Sequence, residues 1–263
     1  MNSSVSGVVV DAGEGGTSII PVVCVCCVTE FEAEGYVLGA AVKTLPVGGR
    51  DISEFILRRL RERGEPVPSE DIMDAVRWIK ENECYCCGNV VKEFGEFDKD
   101  RSRFKRCSGV GSRSKEVCVC CECECEAWSI DVGYEQFLGP ELFFNPEIVN
   151  SEYTTPLAKL VDETIMRCPV DVRRCLYGNI VSAGGSTKFK GFDKRLCRDL
   201  KRLVKSRFEE NVCAVREKLR GDVEIKGSPM EVVVSGPKKR ELAAWLGGSF
   251  VASQVWLCVL CEG

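Results

Sequence analysis

Two apolar runs, Val8–Val10 and Ile19–Val22, flank the polar, glycine-rich stretch Asp11–Thr17. That pattern predicts two strands joined by a hairpin turn. The segment from Glu34 to Asp51 reads as strand followed by loop. Asp51-Ile-Ser-Glu54 has the spacing of a capping box and opens an amphipathic helix with Ile52, Phe55, Ile56 and Leu60 inward. Gly64 and Pro66 stop it. Ser69 caps a second helix, with Glu70 and Asp71 in its first turn and Ile72, Val76 and Ile79 on one face. Residues 98–116, rich in Ser, Gly, Lys and Arg, read as loop. Thr155-Pro156 begins a third helix whose buried stripe is Leu157, Leu160, Val161 and Thr164. A short helix follows around Asp171–Tyr177. Asn179–Ala183 is a strand running into Gly184-Gly185-Ser186-Thr187, and a long basic helix spans about Phe192 to Asn211. Residues 230–236 form another strand, and Leu242–Ser253 closes the regular pattern.

The turn at Asp11–Thr17 carries candidate chemistry. Gly13, Gly15 and Gly16 lack side chains and reach backbone angles other residues avoid, so their N–H groups can wrap phosphate oxygens. Asp11 is placed to hold a magnesium ion, usually through water. Gly/Asp hairpins also occur in proteins that bind nothing. The strand, Gly-Gly turn and helix around residues 179–211 make a second place where backbone amides can meet a nucleotide. The basic face of that helix reads as solvated, or as docking on an acidic partner.

Composition narrows the field. Lys+Arg 36 against Asp+Glu 40 gives net charge -4, which disfavours nucleic acid or an acidic membrane as the main partner. No apolar run approaches bilayer-spanning length, and the N-terminus lacks a secretory signal, so the cytoplasm is expected. With no histidine, imidazole bases and His metal ligands are excluded.

Of the 18 cysteines, eight are concentrated in residues 23–32, VCVCCVTEFE, and 117–127, VCVCCECECEA. CxxC pairs at Cys24/Cys27, Cys84/Cys87, Cys118/Cys121 and Cys258/Cys261 keep a zinc site open, although the wide spacing between pairs is unlike a compact zinc ribbon. Val-Cys-Val-Cys is what a dinucleotide repeat encodes, so both segments read first as low-complexity insertions.

Taken together, DAGEGGT at 11–17, SAGGSTKF at 182–189 and WLGGSFVAS at 245–253 resemble the second phosphate loop, adenosine loop and second connecting segment of the actin-like ATPase superfamily. GGRDISEFILRRLRERG at 48–64 looks like the first helix of the outer subdomain of actins. VRWIKENECY at 76–85 resembles the segment whose Lys-Glu pair flanks adenine. SIDVGYEQFLGPELFFNPEI, CPVDVRRCLYGNIV and GGSTKFKGFDKRLCRDLKRLV are closer to actin-related members of the actin family than to conventional actin. Outside the two cysteine-rich segments, the resemblance runs from about Gly7 to Ser253.

The resemblance implies an α/β chain: a ribonuclease-H-like core from the large-domain half of the actin fold, with an inserted helical subdomain. The core would comprise 5–34 and 128–240, the insertion 35–116, the second cysteine-rich segment 117–127, and a return segment 241–263. It implies ATP and Mg2+ as cofactors. Asp11, Gly13, Gly15, Gly16 and Thr17 would face the phosphates, with Asp11 on the metal side. Lys80, Glu81, Gly184, Gly185, Ser186, Thr187 and Phe189 would bind adenosine. It further implies an ATP-binding structural subunit of the complex that nucleates branched actin filaments, in the cytoplasmic actin cytoskeleton. Actin-related protein 2, the other subunits of that complex and actin filaments would be its partners. ATP would act as a clamp rather than a turned-over substrate. Ser18 stands where the family has a histidine near the attacking water, and the first phosphate loop and catalytic Gln lie in the half of the fold the resemblance does not reach. Arg240-Glu241 departs from the family's basic-aromatic pairing near the adenine. A non-functional truncated product, a cysteine-rich zinc binder and a kinase or chaperone ATPase of the same superfamily are the alternatives.

Overall fold

The computed structural model describes residues 6–24, 35–66, 72–110, 127–219 and 227–261. Along the chain run β1 (Gly7–Ala12), β2 (Thr17–Cys24), β3 (Gly35–Val37) and β4 (Lys43–Leu45). Three helices follow, α1 (Gly49–Glu62), α2 (Ile72–Asn82) and α3 (Val90–Lys99), then β5 (Lys105–Val110) and β6 (Ala127–Val132). The remainder is α4 (Glu135–Glu141), α5 (Leu157–Arg167), α6 (Val170–Gly178), β7 (Ile180–Ala183), α7 (Phe192–Leu219), β8 (Val234–Ser235) and α8 (Ala243–Cys261). The chain divides into two units: 1–48, 155–188 and 192–263 form the first, 49–154 and 189–191 the second.

In the first unit the sheet order is β3-β2-β1-β7-β8, with β4 also paired to β2. β1 lies between β2, which it pairs antiparallel, and β7, which it pairs parallel. A strand bonded along both edges and packed by helices reads as an unbroken apolar run. Val8, Val10 and Ala12 are accordingly fully buried. α5 turns Leu157, Leu160, Val161 and Ile165 inward and packs on β2, β4 and α7.

α7 buries Phe192, Leu196, Leu200 and Val204, one stripe at four-residue spacing. Burying each of these leucines stabilises the fold by about 1.5–3 kcal/mol. The helix runs to Leu219, past the expected end near Asn211. The strand expected over 230–236 shrinks to Val234–Ser235, because only this stretch lies in register with β7.

Tyr177, fully buried in α6, donates its hydroxyl to Asp162 Oδ1 at 2.6 Å and accepts from Arg207 at 3.1 Å. Arg207 is also ion-paired to Asp162, tying α5, α6 and α7 together. Burial first, then the Asp162 hydrogen bond, raises the Tyr177 phenol well above its usual range. In α8, Trp245, Phe250 and Val251 are exposed. No helix among the described residues is long and apolar enough to cross a membrane.

In the second unit α1 buries Ile52, Phe55, Ile56 and Leu60 as expected. It starts at Gly49, two residues before Asp51, so Asp51 lies in the first turn rather than at a cap. Gly64, at φ 72°, ends it. α2 buries Val76 and Ile79, while its expected cap Ser69, with Glu70 and Asp71, lies outside the described residues.

Of the expected loop at 98–116, residues 111–116 lie outside the described residues, and 98–110 is instead largely structured: α3 reaches Lys99, and β5 pairs with β6 in six-residue register. Only Cys107 of this strand's described side chains is buried, while Lys105, Arg106 and Ser108 face water, so the sequence carries little strand signal. Arg106 is opposite Asp131 in that register and bonds it through two nitrogens, at 2.8 and 3.0 Å. Phe94, Phe97, Phe104, Tyr134 and Phe137 form an aromatic cluster.

The unit boundaries differ from the expected subdomain ends. β3 and β4 belong to the core sheet through β2, so the second unit begins at Gly49, not 35. Residues 128–154, expected in the core, belong to the second unit, where β6 pairs with β5 and α4 packs on α1. Of the cysteine-rich segments, only Val23, Cys24 and Ala127 fall among the described residues.

Burial raises the Cys107 thiol to about 11, with Glu83 adding to the effect, and raises Cys84 further still. A thiolate at Cys107 is disfavoured only in the folded unit. Its contribution to stability is therefore complete below about pH 9 and is lost as pH rises through about 11. Iodoacetamide labelling at pH 8, mapped by mass spectrometry, should modify exposed Cys175 and Cys213 quickly and spare Cys84 and Cys107 until denaturant is added. Equal labelling of Cys84 and Cys175 in the native state would contradict this burial.

Candidate functional site

β1 and β7 run parallel with Asp11 opposite Ala183, so their carboxyl ends deliver two glycine-rich turns side by side. That edge is where parallel strands of α/β sheets present ligand sites. The first turn joins β1 to β2 and is closed by Gly13 N–H donating to Gly16 C=O at 3.0 Å. The second begins at Gly184 and passes through a short 3-10 turn, Gly185–Lys188.

Contacts within the first unit fix the turns against each other. Ser186 Oγ donates to Gly13 C=O at 2.9 Å. Gly184 has φ 85°, and a Cβ there would stand 2.3 Å from Ala12 O and 2.6 Å from Asp11 Oδ1. Glycine at 184 is thus required by both backbone angle and close approach. On the opposite side of the first turn, a Cβ on Gly48 would fall 2.5 Å from both Glu14 O and Gly16 N.

The glycines of the first turn work differently from the sequence expectation. None adopts a left-handed angle; among the described residues only Gly64, Gly184 and Gly191 do. A Cβ on Gly15 would meet nothing within 4 Å, and one on Gly185 likewise. These two positions leave open space where a side chain would stand, so packing within the chain does not require glycine there.

Thr17 and Thr187 also depart from their expected roles. Both are buried, and Thr17 donates its hydroxyl to Val47 C=O at 2.8 Å. Thr187 donates to Gly184 C=O, also at 2.8 Å, closing the second turn on itself. Their side chains brace the turns instead of facing outward. The donors left are backbone amides: those of Gly15, Gly16, Gly185 and Ser186 find no backbone acceptor among the described residues. Asp11 places a carboxylate beside them at the end of β1.

Lys80, Glu81 and Phe189 belong to the second unit. Lys80 is buried and donates from Nζ to Gly49 C=O at 2.9 Å, so it is neither a solvated helix end nor an outward-facing cation. Burying an ammonium requires such a partner. Glu81 is exposed. Phe189 precedes Lys190, which bridges to Tyr85, and Cys86 N–H donates to Lys190 C=O at 2.9 Å. Cys84 and Cys87 do not converge: Cys84 Sγ donates to Glu135 C=O and Cys87 Sγ to a Glu141 carboxylate oxygen. Among the described residues no group of three or more Cys, Asp or Glu could hold a metal ion.

Sequence reasoning passed over Gly48, whose signal was the Gly48-Gly49 doublet ahead of α1, and Ser182 and Asp193, which carry none. Ser182 Oγ donates to Asp193 Oδ1 at 2.7 Å, just below the second turn. Amides without a backbone acceptor among the described residues, beside a carboxylate, suit phosphate oxygens with a divalent cation. The residues present therefore fit a magnesium–nucleotide.

Comparison with known proteins gives a family and named relatives. The model of the actin family matches residues 1–257. Actin-related protein 3 of Oryza sativa subsp. indica is 44% identical over 250 residues, covering 94% of this chain and 52% of that protein. Actin-related protein 3 of Dictyostelium discoideum is 42% identical over 251 residues, covering 95% and 54%. The Caenorhabditis elegans protein of the same name is 42% identical over 251 residues, covering 95% and 53%. The chain spans about half the length of these curated relatives.

If the turns are braced as described, Gly184→Ala and Gly48→Ala should each cost about 1–3 kcal/mol in urea unfolding, from strain and backbone clash. Gly185→Ala, pointing into open space, should change stability by no more than about 0.5 kcal/mol. Equal costs at 184 and 185 would contradict the close approach.

Proposed function

We propose, since the chain belongs to the actin family, that it is a nucleotide-binding structural subunit of the complex that nucleates branched actin filaments. Its cofactors on this reading are ATP and Mg2+. Its partners are actin-related protein 2, the other subunits of that complex and actin filaments, in the cytoplasmic actin cytoskeleton. Kinship with actin-related protein 3 over most of the chain supports the assembly role. The observation that carries nucleotide binding is the bracing of two amide-bearing turns at the carboxyl ends of β1 and β7.

In this reading Gly15 and Gly16 offer amides to the outer phosphates and Asp11 holds the magnesium side. Gly185 and Ser186 meet phosphate and ribose, while Thr17 and Thr187 act from beneath by fixing turn shape. Magnesium supplies charge neutralisation, which the two turns lack in their own side chains apart from Lys188, itself paired with Glu241 at 3.5 Å. The nucleotide serves as a clamp that favours one arrangement of the protein, not as a substrate. Ser18 in the position of the family's histidine agrees with that role. It is paired opposite Asp11 on one side and Thr44 on the other.

Titration of the purified chain with a fluorescent etheno-ATP in Mg2+ tests the reading. Binding should be weak, with Kd above about 10 μM, because this reading draws contacts from two short turns alone. It should disappear in Gly15→Val, which fills the open space without disturbing the turn's own contacts. Sub-micromolar binding would contradict the partial site, and no binding at about 5 mM nucleotide would contradict nucleotide recognition by these turns.

A further inference from the structure

Arg240 is where the chain departs from the basic-aromatic pairing the family resemblance implies, and its side chain is turned inward. Its guanidinium bonds both oxygens of Asp193, Nη1 to Oδ1 at 3.0 Å and Nη2 to Oδ2 at 2.5 Å. Nη1 also donates to Thr187 C=O at 3.0 Å, while the Arg240 backbone C=O accepts from Gly184 N–H at 3.0 Å. One residue thus grips the first and last peptide groups of the Gly184–Thr187 turn.

The surroundings are built around this grip. Asp193 stands at the start of α7 and takes a further bond from Ser182, the penultimate residue of β7, which is fully buried. A Cβ on Gly236 would fall 2.7 Å from Arg240 Nε and Cζ and 2.6 Å from Ser182 Oγ, so glycine there gives the guanidinium its room. Arg240 and Asp193 side chains are 19% and 25% exposed, which limits screening by solvent. The planar fork of arginine satisfies the carboxylate and the carbonyl together, which a lysine cannot do.

We propose that the Arg240–Asp193 pair is a latch that sets the orientation of the Gly185 and Ser186 amides, making Arg240 a positioning residue for the nucleotide. The proposal rests on the nucleotide reading of this site. The latch holds the turn at both ends, while the two amides between find no backbone acceptor among the described residues. Loss of the fork frees the Thr187 carbonyl and loosens the turn, leaving the buried packing of α5 and α7 in place.

The test uses the full chain with Arg240→Gln, Asp193→Asn and Arg240→Lys, and Tyr177→Phe as a control that removes a buried hydroxyl elsewhere in the same unit. Hydrogen exchange by mass spectrometry reads the turn, and etheno-ATP titration reads affinity. Arg240→Gln and Asp193→Asn should speed exchange in peptides covering 184–188 by about tenfold, with α5 unchanged. They should weaken nucleotide binding by a similar factor, and Arg240→Lys should recover part of both. Tyr177→Phe should lower global stability and leave the relative protection of the turn and the affinity intact. Unchanged exchange at 184–188 in Arg240→Gln, or the same selective loosening in Tyr177→Phe, would overturn the latch. Selective loosening in a chain that binds no nucleotide would sustain the latch as a turn-shaping device and overturn its service to the nucleotide, together with the function proposed above.

Discussion

The parallel pairing of β1 with β7 is the constraint on which the site depends. It sets Asp11 opposite Ala183, and the two glycine-rich turns leave from adjacent strands, about 4.8 Å apart. A slip of one residue would turn Val8, Val10 and Ala12 out of the core, so burial holds the register. Gly184 then has no room for a side chain against Ala12 and Asp11, and Ser186 fastens the second turn to the first. The turns are therefore fastened to each other and to the end of β1.

Much of this was legible from residue pattern alone. The apolar runs around Asp11–Thr17 marked β1 and β2, the four-residue spacing marked α1 and α5, and the Gly-Gly after an apolar run marked the second turn. The β5–β6 pair was missed because a two-stranded sheet with one wet face can be polar at most positions. The subdomain ends were misplaced because strand partners, not local composition, decide that β3 and β4 join the core. Within the site, glycine positions were visible but their reasons were not. Gly184 serves close approach, Gly15 leaves open space, and Thr17 and Thr187 are braces. Such distinctions depend on what lies across the turn, which only the folded chain supplies.

The donor set has a consequence for recognition. With both threonine hydroxyls committed internally, the turns are left with amides that find no backbone acceptor among the described residues, and with the Asp11 carboxylate at the end of β1. Side-chain cations are used beneath the surface: Arg240 holds the second turn, Arg207 holds α5 to α7, and Lys80 supports the start of α1 in the second unit. Withdrawing such cations from water is offset by pairing and hydrogen bonding.

The central claim is that the two turns form one phosphate site. An amide chemical-shift titration of the nitrogen-15-labelled chain with MgATP tests it most directly. Resonances of Gly15, Gly16, Gly185 and Ser186 should move together along one binding curve, with those of α5 unmoved. Movement of one turn without the other, or of neither at millimolar nucleotide, would contradict the account.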